Sequence, residues 1–130
     1  MAAAIGHRAT DNYGTVGGVA NHQAGNNDGI PENTQLATVG GGRNNTAGGF
    51  GTIAGGSENV TGFAGAVGGG SSNGATGYYS TIGGGSGHVA AASRTSVAAG
   101  ENQVHRGRLT TDGAGVGQPA AVDRAPSGEA

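Results

Sequence analysis

The stretch Gly70-Ser71-Ser72-Asn73-Gly74 has the Gly-x-Ser-x-Gly spacing of a nucleophile elbow, which aims a serine hydroxyl at an acyl group from a sharp strand-to-helix turn. That chemistry also needs a base and its orienting partner beside the serine. The same positions recur along the chain without serine, so the motif reads as part of a structural pattern. His22 and His88 are the second candidates, because imidazole ligates metals well. Each stands six residues beyond a β-branched residue, Val16 or Ile82, where other segments carry Asn45, Asn59 and Asn73. Presented three times in a trimer, a histidine column would suit a metal, but no second ligand type recurs with it. Backbone hydrogen bonding by a turn residue accounts for the column better. Phosphate-cradling loops of the Gly-x-x-x-x-Gly-Lys kind are excluded, since the chain contains no lysine. No catalytic, cofactor-binding or metal-binding residue is therefore assigned.

What positions these residues is a repeat, and repeats decide the fold before any single motif does. The triplet Gly40-Gly41-Gly42 returns as Gly68-Gly69-Gly70 and Gly83-Gly84-Gly85, each directly after Val or Ile. The anchors Val16, Val39, Ile53, Val67, Ile82 and Val97 are separated by 23, 14, 14, 15 and 15 residues. Thr38-Val39-Gly40-Gly41-Gly42-Arg43-Asn44-Asn45-Thr46-Ala47-Gly48 shows the full unit, with Asn45, Asn59 and Asn73 forming an asparagine ladder of stacked amides. Thr15, Thr38, Thr52, Thr81 and Ser96 precede the anchors, and strand alternation points them away from the Val/Ile face. An outward threonine row is what an ice-binding solenoid would use, although Ala66 interrupts this one and strand propensity explains it.

Glycine supplies 31 of 130 residues, while apolar residues reach 34% and aromatics 4%. Helices are disfavoured, because glycine in a helix interior costs about 1 kcal/mol relative to alanine. Collagen is excluded because glycine does not fall at every third position. The expectation is an all-β chain, a parallel β-roll or β-solenoid of 14–15-residue turns with glycine at its tight corners. Its interior takes valine and alanine, with Phe50, Phe63, Tyr78 and Tyr79 adding to what little is buried. So thin a core needs a staple or a partner, and with no cysteine the expected solution is oligomerisation.

Residues 1–14 read as a partial N-terminal turn, with Ala4-Ile5-Gly6-His7 imitating a repeat start, and residues 15–110 as the repeat domain. An inserted loop near 26–36 separates its first two turns, and 111–130 reads as a disordered polar tail. No signal-peptide pattern or membrane-length apolar run is present. Five acids balance five arginines up to Thr110, so there is no basic stripe for nucleic acid, and no amphipathic helix for a membrane surface. Asn44-Asn45-Thr46 and Asn59-Val60-Thr61 match glycosylation sequons.

Ser96-Val97-Ala98-Ala99-Gly100, and Thr81-Ile82-Gly83-Gly84-Gly85 more loosely, resemble the Ser-x-Ala-x-Gly units in the heads of trimeric autotransporter adhesins. The likeness spans residues 4–110 and extends to related Gly-rich bacterial fibre proteins. It implies a left-handed parallel β-roll, an intertwined or side-by-side homotrimer, and a site of action outside the cell or on its surface. It also implies adhesion to a host matrix protein, a glycan or a neighbouring cell. No heptad stalk or β-barrel anchor accompanies the repeats. The competing expectation is a non-enzymatic subunit that stacks head to tail into an extracellular filament.

Overall fold

The computed structural model describes residues 6–9, 13–18, 20–25, 36–102, 104–105, 111–112, 115–116 and 119–120. Among these residues there is no helix, and every strand is two residues long and paired in parallel. The chain is a β-solenoid. Its first row stacks Thr15–Val16, Thr38–Val39, Thr52–Ile53, Ala66–Val67, Thr81–Ile82, Ser96–Val97 and Thr111–Asp112 in that order. A second row stacks Arg8–Ala9, Gln23–Ala24, Thr46–Ala47, Val60–Thr61, Gly74–Ala75, Val89–Ala90, Val104–His105 and Pro119–Ala120. Between them runs a third line of single parallel bridges through Ala20, Arg43, Ser57, Ser71, Ser86 and Glu101. We call these the valine, alanine and serine rows.

Each turn has four inward positions. Val39, Ile53, Val67, Ile82 and Val97 come from the valine row and Ala24, Ala47, Ala75 and Ala90 from the alanine row, all buried. His22, Asn45, Asn59, Asn73 and His88 are buried between the serine and alanine rows. The fourth position holds Ala37, Gly51, Gly65, Ser80 and Thr95, also buried. Sizes compensate between neighbours. Thr61 takes an alanine-row place beside Gly51 and Gly65, whose absent Cβ atoms leave room for its hydroxyl and its Cβ. Val16 is only half-buried against this core.

Three readings of the sequence need correction. Arg8–Ala9 pairs with Gln23–Ala24, which places His7 over His22 at a 15-residue step. His7 therefore holds the place of His22 within a turn, not a place two residues after an anchor, and Ala4 and Ile5 lie outside the described residues. Pairing also runs past Thr110: Thr111 joins Ser96, Gly115 joins Gly100 and Pro119 joins Val104. All three steps are 15 residues, so the backbone period outlasts the side-chain pattern that marked it; residues 113–114, 117–118 and 121–130 of the expected tail lie outside the described residues. Finally, the aromatic side chains are outside the core, with Phe50, Phe63, Tyr78 and Tyr79 all exposed. Of the inserted loop, Leu36 alone is described.

Candidate functional site

The most elaborate arrangement of polar atoms is the buried column His22, Asn45, Asn59, Asn73, His88. Each asparagine satisfies three backbone groups at once. The Asn59 Nδ2 donates to Gly55 O at 3.0 Å and to Gly70 O at 3.1 Å, and its Oδ1 accepts from the Asn73 N–H at 3.0 Å. Asn45 repeats the pattern with Gly41 O, Gly56 O and the Asn59 N–H, and Asn73 with Gly69 O, Gly85 O and the His88 N–H. The amides thus bond not to one another, as a stacked-amide ladder would, but through the backbone of the next turn. Both Nδ2 protons are already given to carbonyls, and none remains for a neighbouring amide.

Histidine enters this column because it reproduces the same donor and acceptor. His22 Nδ1 accepts from the Asn45 N–H at 3.3 Å, and Nε2 lies 2.9 Å from Gly42 O. The Gly42 carbonyl can only accept, so the proton sits on Nε2 and the ring is neutral. His7 stacks on His22 with ring centroids 5.0 Å apart and planes 9° from parallel. Burial lowers the His22 pKa from 6.5; the Gly42 hydrogen bond opposes this, and the nearby His7 lowers it further. Protonation would also set a second N–H against that of Asn45.

A pH dependence follows. Above about 6.5 the ring is neutral in both folded and unfolded chains. Below it the unfolded chain takes up the proton first, so stability falls until the lowered folded-state value is passed. The thermal midpoint, followed by circular dichroism between about pH 8 and 5, is expected to drop. His22→Asn, which keeps a donor and an acceptor in the column, is expected to flatten that drop. An unchanged slope in His22→Asn would show that His22 is not its source.

The other candidates fall in different places. His22 and His88 occupy opposite ends of the column with three asparagines between them, roughly 19 Å apart at one strand spacing per turn, too far to share a metal within one chain. Ser72 of the Gly-x-Ser-x-Gly stretch is an exposed corner residue with φ 57°, and no helix follows it. Its hydroxyl donates to Glu58 Oε2 at 3.2 Å. Of the two sequons, Asn44 is exposed, whereas Asn59 is fully buried and spent on the backbone. The row Thr15, Thr38, Thr52, Thr81 and Ser96 lies on the outer side, each residue exposed or half-exposed, with Ala66 in the gap.

Sequence reasoning missed what the corners hold. Residues in the left-handed region recur at fixed places in the turn. One column holds only glycine among its described members: Gly42, Gly56, Gly70, Gly85 and Gly100. A second holds Asn21, Asn44, Glu58, Ser72, Gly87 and Asn102. The third has no glycine among its described members: Tyr13, Leu36, Phe50, Ala64, Tyr79 and Arg94. Next to it stand Phe63 and Tyr78, and Phe63 packs edge-on to Phe50 at 5.3 Å and to Tyr78 at 5.8 Å. The signal available in the sequence was the spacing of these aromatic residues, which follows the turn.

No protein-family model, curated protein or solved structure matches the chain.

Proposed function

We propose that the chain is a non-enzymatic structural and adhesive repeat module acting outside the cell or at its surface, like the heads of trimeric autotransporter adhesins. The observation that carries this reading is the outward hydroxyl row. Along the valine row Thr15, Thr38, Thr52, Thr81 and Ser96 repeat one outward position turn after turn, interrupted at Ala66, so that a partner meets a row of similar side chains rather than one pocket. Weak contacts repeated along a rigid rod gain strength by multivalency, and association of three copies multiplies that again. A matrix protein, a glycan or a neighbouring cell surface is the partner such a surface suits. The buried column supports the same view, since its polar atoms are consumed in holding turns together.

The runner-up is a filament subunit stacked head to tail. It is favoured by the uniform parallel pairing, because the end of a parallel row offers N–H and C=O groups that a second copy in the same register can pair. Sedimentation velocity across a concentration series separates the two. The adhesin-like reading expects one species at three times the chain mass. An open-ended series of larger species supports the filament, and a monomer at every concentration overturns both.

A further inference from the structure

We infer that the aromatic corner is the seam along which two copies of this chain associate side by side. This rests on the proposed oligomeric role and names the surface that would carry it. The corner is costly to build. A residue other than glycine in the left-handed region loses roughly 1–2 kcal/mol, and the chain, with 31 glycines, holds another corner with glycine at 42, 56, 70, 85 and 100. Here it places Tyr13 at φ 62°, Leu36 at 61°, Phe50 at 55° and Tyr79 at 58° instead. Those side chains do not repay the cost by burial in their own chain, being 77%, 53%, 42% and 59% exposed.

With Phe63 and Tyr78 they expose on the order of 600 Å², taking ~200 Å² for each large side chain. That reaches the upper limit for the largest apolar patch of a typical monomer and approaches the ~800 Å² that each partner contributes to a standard interface. The patch is also a comb. Its teeth follow the turn repeat, about 4.8 Å apart along the rows, and two combs interlock only when their pitches agree. A second copy has that pitch by construction. Apart from Arg94 at one end, the column carries no charge to oppose the contact.

The test uses the chain's own chromophores. Its three tyrosines, Tyr13, Tyr78 and Tyr79, all lie on this corner, and it has no tryptophan, so intrinsic emission reports the corner alone. Acrylamide quenching of the full chain is measured at concentrations below and above assembly, with sedimentation velocity alongside. Quenching is expected to fall at least twofold on assembly. The double variant Phe50→Gly, Tyr79→Gly is expected to raise the dissociation constant at least ~10-fold, as loss of aromatic hot spots does. Both positions have positive φ, which glycine adopts freely, so the variant keeps the fold, and circular dichroism checks this. Assembly with undiminished tyrosine quenching, or assembly unaffected by the double variant, overturns the seam while leaving an oligomer in place. A monomer throughout overturns the seam and the oligomeric role together.

Discussion

Gly70→Ala is expected to cost about 4 kcal/mol, combining the left-handed-region penalty with overpacking, and to lower the thermal midpoint by roughly 15 °C. Gly69→Ala, one residue earlier, is expected to be neutral or stabilising by up to ~1 kcal/mol. The contrast lies in what a Cβ would meet. At Gly69 nothing lies within 4 Å, and the backbone is outside the left-handed region. At Gly70, with φ +90°, a Cβ would sit on the Gly85 carbonyl oxygen, 2.9 Å from the Gly85 nitrogen and 2.9 Å from Asn73 Nδ2. These atoms cannot step aside, because the Gly85 backbone is pinned by the Ser71 N–H and its carbonyl also accepts from Asn73. The chain itself makes the same distinction: Ala99 fills the place of Gly69 two repeat units later, while the place of Gly70 is glycine at 42, 56, 85 and 100. Thermal melts of the two alanine variants check this, and equal midpoints would mean that the triplet is not stratified in this way.

The same triplet shows how far the fold was legible from residues alone. A β-branched anchor at 14–15-residue spacing is a strong mark, since valine and isoleucine point inward once per turn and cannot shift register without exposing the core. That fixed the valine row and, through the asparagines, the depth of the polar column. The serine row left no mark. Ser57, Ser71 and Ser86 share it with Ala20, Arg43 and Glu101, because a bridge made by the backbone with outward side chains selects no one residue type. Corners were expected to be glycine, yet eleven described residues other than glycine have positive φ. Their backbone groups show what holds them: the Tyr79 N–H donates to Phe63 O, the Arg94 N–H to Tyr78 O and the Glu58 N–H to Arg43 O. Pairing with the preceding turn overrides local preference there. Placing the aromatics inside failed for a related reason, since the interior of each turn is already filled by one β-branched residue, one amide or imidazole and two small residues.

Asn59→Ala is the other substitution expected to have a large effect, and it addresses what binds one turn to the next. Removing this side chain strands the Gly55 carbonyl and the Asn73 N–H, and leaves the Gly70 carbonyl with the Ser57 N–H as its one remaining donor. The site is fully buried. An unpaired buried backbone group costs about 1–3 kcal/mol, so two of them, with the weakening at Gly70, place the loss at roughly 3 kcal/mol. Shape alone would predict less, because the chain tolerates small residues at most inward positions. The decisive comparison is Asn59→His. At His22 an imidazole accepts from the next turn's N–H through Nδ1 and reaches a glycine carbonyl through Nε2. A histidine at 59 can therefore serve the Asn73 N–H and the Gly70 carbonyl while giving up Gly55, and the expected loss is about 1–2 kcal/mol. Asn59→Leu fills the space without any donor or acceptor and should resemble alanine rather than histidine. The order histidine, then leucine and alanine together, measured as thermal midpoints at pH 8, assigns the column's contribution to hydrogen bonding between turns. A leucine variant as stable as the parent would instead assign it to volume.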